Sequence, residues 1–135
     1  MHKLPDINAL MSYENDEVIK QYCKDYPAIS KETAQQSFQD LLGWMWIYAY
    51  RSQKNIKTHL FGPLLKLDNL WHVFILHTRE YSKFCETYFL NLIHHEFEPI
   101  DNEHELSSDE LSDFLSDCYE YLGESWVLRN FAEIL

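Results

Sequence analysis

Between Lys31 and Gln53 the chain reads KETAQQSFQDLLGWMWIYAYRSQ, and the architecture follows from this stretch. Ala34, Phe38, Leu41, Leu42, Met45, Tyr48 and Ala49 recur at the three- and four-residue intervals that share one face of a helix. Trp44, Trp46 and Ile47 fill the remaining directions, so the helix is apolar nearly all round. Such a helix is stable only when other elements cover it, which makes it the centre of an all-α bundle. Ser30 offers a side-chain oxygen to cap its first turn.

Upstream, Val18, Ile19, Tyr22, Cys23 and Tyr26 have helical spacing, with Asn15 as the cap and Pro27 as the stop. Downstream, Lys54 to Lys66 contains Gly62-Pro63 and mixed polarity and reads as a connection. Asp68 is then placed to cap a helix carrying Leu70, Trp71, Val73, Phe74 and Ile75. Thr78 is placed to cap another carrying Tyr81, Phe84, Cys85, Tyr88 and Phe89, with its end between Asn91 and Glu96. Whether these form one bent helix or two stays open. After an acidic linker, Ser107 and Glu110 have capping-box spacing ahead of Leu111, Phe114, Leu115, Cys118 and Leu122, with Gly123 as the stop. Trp126, Leu128, Phe131 and Leu135 are read as a short docked final turn. Nothing alternates with period two, so the expectation is one all-α domain of five or six helices spanning residues 1–135.

Hydrophobic residues at 46% and aromatics at 16% of 135 residues exclude disorder as the state of the whole chain. The formal net charge is −11, a poor basis for direct nucleic-acid binding, which rests on cationic neutralisation of phosphates. Residues 1–95 hold ten acids and ten bases, whereas residues 96–135 hold twelve acids and only Arg129. Arg51, Lys54, Lys57 and Lys66 form a stretch without acids, and one reading sets it beside the acidic third so that the two screen each other. The other reading is an acidic interaction surface, with Asp109, Glu110, Asp113, Asp117 and Glu120 facing a protein with a basic surface. In that role it acts as an inhibitor or nucleic-acid mimic.

Cys23, Cys85 and Cys118 are widely spaced and odd in number, which suggests neither a disulfide framework nor a CxxC clip. Met1 to Asp6 lacks the apolar core of a secretory signal, and the longest apolar run, Leu41 to Tyr50, is about half of a bilayer span. The expectation is a cytoplasmic protein with reduced thiols and no membrane contact. The aromatic content is compatible with a homodimer.

Ligand-type side chains concentrate at His72, His77, Cys85, His94 and His95, with Asp68 just ahead. Imidazoles, thiolates and carboxylates are ligands for zinc and related divalent transition metals when three or four converge. Asp68 and His72 are four apart and share a helix face, so the carboxylate can orient the imidazole. His72 and His77 diverge by roughly 140° on a straight helix and meet only if the chain bends between them. HExxH and paired CxxC spacings are absent. The competing reading gives each histidine a local task at a helix end and makes Cys85 a small core residue.

Asp68-Asn69-Leu70-Trp71-His72, followed by Leu76, Tyr81 and Cys85, resembles the D-x-x-W-H…L…Y…C segment of the glycine-rich domain-containing protein-like family. The chain lacks the glycine-rich region that names that family. The resemblance implies a mainly helical domain with a Trp-His element and implies no established reaction. The primary functional expectation is therefore a non-enzymatic interaction module with no cofactor. The alternative is a metal-binding protein or metal-dependent enzyme using the histidines between 72 and 95.

Overall fold

The computed structural model describes residues 3–95 and 106–132, and the regular structure among them is all helical, with no strand. Seven α-helices are present among the described residues: α1 Ile7–Met11, α2 Asp16–Asp25, α3 Lys31–Gln53, α4 Leu65–Leu76, α5 Thr78–Phe89, α6 Ser108–Leu122 and α7 Glu124–Phe131. The central helix is α3, capped by the Ser30 hydroxyl accepting from the Thr33 amide. Helices α1, α2, α4 and α6 all pack on it. Its Leu41, Leu42, Met45, Ile47 and Ala49 are completely buried, and Trp44 and Trp46 nearly so. At about 25 cal/mol per Å2 of apolar surface removed from water, a helix enclosed in this way carries the largest share of the hydrophobic stabilisation.

Asn15 caps α2 by accepting from the Val18 amide, and Tyr26 closes it immediately before Pro27. The short α1 is an addition to the elements the periodicity predicts. Asp6 caps it, and the Trp46 indole N–H donates to the Pro5 carbonyl at 2.9 Å, holding its entrance against α3.

The connection after α3 ends earlier than its composition suggests. Gly62–Leu64 form a 3-10 turn with Pro63 in it, and α4 starts directly at Leu65. Asp68 therefore lies in the first turn of α4 rather than at its cap, and its carboxylate faces outward along the helix. The question of one bent helix or two resolves as two. The chain breaks at His77, whose ψ of 68° is not helical. Its Nδ1–H donates to the Val73 carbonyl at 2.9 Å, closing the end of α4. Helix α5 ends at Leu90 in the left-handed region, with φ 65°, and the chain turns back.

The last two helices follow the sequence closely. Ser107 and Glu110 make the reciprocal capping box, and Gly123, with φ 91°, separates α6 from α7. Trp126 and Phe131 dock as expected, whereas Leu128 stays 46% exposed and Leu135 lies outside the described residues. Two polar clasps join this pair to α3. The Asp40 carboxylate accepts from Arg129 and Asn130 of α7, and the Arg51 guanidinium donates to Asp113 and Asp117 of α6. The approach is close at Gly43, where a Cβ would sit 3.1 Å from Trp126 Nε1 and 3.3 Å from a Leu122 methyl. The acidic linker read downstream of Glu96 falls on residues outside the described ones. No helix among the described residues is long and apolar enough to cross a membrane.

Candidate metal centre

Helix α4 presents Asp68 and His72 on its outer face, one turn apart, with Asp68 Oδ2 3.7 Å from His72 Nε2. The chain reversal at Leu90 brings a third group to them. His95 Nε2 hydrogen-bonds Asp68 Oδ1, and its ring lies 4.4 Å from the His72 ring and 4.5 Å from the Trp71 ring, centroid to centroid. One donor atom from each of Asp68, His72 and His95 lies within 4.8 Å of the other two. Metal–nitrogen and metal–oxygen bonds of about 2.0–2.2 Å in tetrahedral geometry set donor separations of roughly 3.3–3.6 Å. Closing the group, whose donors lie within 4.8 Å, around an ion therefore requires the widest separation to shrink by up to about 1.5 Å. The site is open on one side: the His72 side chain is 56% exposed, against 25% for Asp68 and 20% for His95.

The other ligand-type residues stand apart from this group. His77 is occupied at the α4–α5 junction. His94 is exposed beside His95 and lies outside the cluster. Cys85 is fully buried on α5, where burial pushes its thiol up and a backbone hydrogen bond from Ile93 pulls it the other way. A buried neutral thiol is neither a ready nucleophile nor a ready ligand. Sequence spacing alone links Asp68 with His72; the approach of His95 depends on the reversal after α5, for which no glycine or proline between Phe89 and His95 gives a signal.

Beneath the group lies a buried polar network. The Trp71 indole N–H donates to the Tyr81 hydroxyl at 3.0 Å, and that hydroxyl donates to the Ile93 carbonyl. Burial pushes the Tyr81 phenol well above its ordinary range, so it remains a neutral donor.

The five carboxylates of the acidic third have unequal surroundings. Asp117 accepts from Arg51 at 2.7 Å and Asp113 at 3.1 Å. Glu110 accepts from the Ser107 amide in the capping box. Asp109 and Glu120 are exposed. Arg51, from the acid-free stretch, thus meets the acidic segment directly.

A family model described as UCP032817-like matches residues 7–113. This overturns the resemblance to the glycine-rich domain-containing protein-like family, which rested on a few positions between Asp68 and Cys85. Among them Trp71, Tyr81 and Cys85 serve local packing and hydrogen bonding, a role that does not identify a family by itself. No curated protein and no solved structure matches the chain.

Proposed function

We propose that this chain, which belongs to the UCP032817-like family, is a divalent-metal-binding helical protein whose ion is held by Asp68, His72 and His95. The observation that carries this reading is the convergence of two imidazoles and a carboxylate from separate elements onto one partly open point. Two nitrogens and one oxygen suit zinc and neighbouring divalent transition metals. Three protein ligands leave at least one coordination position for water or a substrate, and the exposed side of His72 is where it would enter. In that position the ion supplies Lewis acidity and an activated water. Asp68, already bonded to His95, sets the imidazole's orientation.

Zinc titration of untagged protein by calorimetry, with elemental analysis after gel filtration, tests the assignment. We expect one ion per chain at neutral pH and at least a 100-fold loss of affinity in Asp68→Ala and His95→Ala. His77→Gln should bind zinc like the parent. Failure to retain stoichiometric Zn2+, Co2+ or Fe2+ overturns the proposal.

A basic protein partner for the acidic third is the second reading, supported by the exposure of Asp109 and Glu120 on α6. It stands second because Asp113 and Asp117 already face Arg51. Charge reversal at Asp109 and Glu120 together should abolish low-salt capture of the partner if this reading holds.

A further inference from the structure

We propose that Tyr81 is the positioning residue of the site: its hydroxyl holds the returning chain at Ile93 and so keeps His95 beside Asp68 and His72. The consequence for metal affinity rests on the reading above, whereas the hydrogen-bond geometry stands without it.

After Leu90 the chain has no helix to hold it, yet Ile93 is completely buried. Its carbonyl accepts from Tyr81 and its backbone also hydrogen-bonds Cys85. The proton order in this network is fixed by chemistry, since an indole N–H only donates and a carbonyl only accepts. The Tyr81 oxygen must therefore receive Trp71 and give to Ile93. Tyr81 and Trp71 are 4% and 3% exposed, so water cannot replace either bond without opening the core. Trp71 contributes twice, because its ring also lies against the His95 imidazole. Asp68, Trp71, His72, Tyr81 and Cys85 then form two layers: Asp68 and His72 face outward as ligands, while Trp71, Tyr81 and Cys85 hold the third ligand's segment from below. Groups that orient ligands in this way typically change metal affinity 10- to 100-fold when removed.

Tyr81→Phe removes the hydroxyl and keeps the ring edge-on to Phe74, whose centroid is 4.9 Å away. Two readouts are taken on the full chain. In metal-free protein, the nuclear Overhauser contact between the Trp71 and His95 rings should be present in the parent and lost in Tyr81→Phe. With Co2+ as probe, affinity should fall 10- to 100-fold and the visible ligand-field bands should shift, while circular dichroism keeps its helical signal. An unchanged ring contact and an unchanged Co2+ spectrum in Tyr81→Phe overturn the proposal. A parent protein that shows the ring contact but binds no Co2+ defeats the metal reading alone. Should Tyr81→Phe fail to fold, hydrogen exchange in the parent decides: the Ile93 amide must be protected with those of α4 and α5, and rapid exchange there overturns the latch.

Discussion

Asp117 and Asp113 meet the same guanidinium in different surroundings. Arg51 is 5% exposed and also donates to Thr58 Oγ1 at 3.2 Å. The Asp117 side chain is 17% exposed and that of Asp113 is 63% exposed. Breaking the enclosed pair leaves the buried cation with only the outer carboxylate, which water already screens, as its counter-charge. Asp117→Ala should therefore cost about 2–4 kcal/mol of unfolding free energy, and Asp113→Ala less than about 1 kcal/mol, as measured by urea denaturation. In the sequence both aspartates are ordinary members of an acidic helix face, and only their distance to a residue more than sixty positions upstream separates them. The same holds for His95, since nothing local distinguishes it from His94, yet one is drawn into the cluster and the other is exposed.

Among the elements, the boundaries of α2, α3 and α6 were readable because Asn15, Ser30 and Ser107 each bond their own helix's amides. The start of α4 was not readable, because no side chain caps it and the 3-10 turn at Gly62–Leu64 leads into it instead. The end of α5 was equally hidden. It rests on Leu90, a branched residue at φ 65° with 62% of its surface exposed. The left-handed conformation costs a non-glycine residue roughly 1–2 kcal/mol, while glycine's greater unfolded-state freedom takes back about 0.5–1 kcal/mol. Leu90→Gly is thus expected to raise stability by about 0.5–1 kcal/mol, seen as a higher denaturation midpoint at unchanged slope. A lower midpoint would mean that the Leu90 side chain makes contacts worth more than the strain it introduces.

For the molecule as a whole, the all-α class followed from periodicity and the scarcity of breakers, whereas the candidate site required a tertiary reversal that no window of residues contains. Burial on a large scale also sets a pH limit. Desolvation pushes the Cys118 thiol up to about 12, and burial raises Tyr13 and Tyr22 as well. In the native state Cys118 keeps its proton while the unfolded chain's thiol ionises near 8.5, so the native state binds more protons and stability falls as pH rises. The decline from this one group is about 1.4 kcal/mol per pH unit above roughly pH 9. Cys118→Ala should flatten the stability profile between pH 9 and 11, with circular dichroism melts as the check.

The attachment of the last two helices has its own consequence. They meet α3 through Asp40 and Arg51 as well as through apolar side chains, whereas α4 packs on α2, α3 and α5, and the residues from Asp68 to His95 make no ion pair to α6 or α7 among the described residues. The bundle therefore has a seam that denaturant would open first, shedding the α6–α7 hairpin while the rest stays closed. Native-state exchange should then find the amides of α6 and α7 released as one cooperative unit below the global transition, leaving those of α3, α4 and α5 protected.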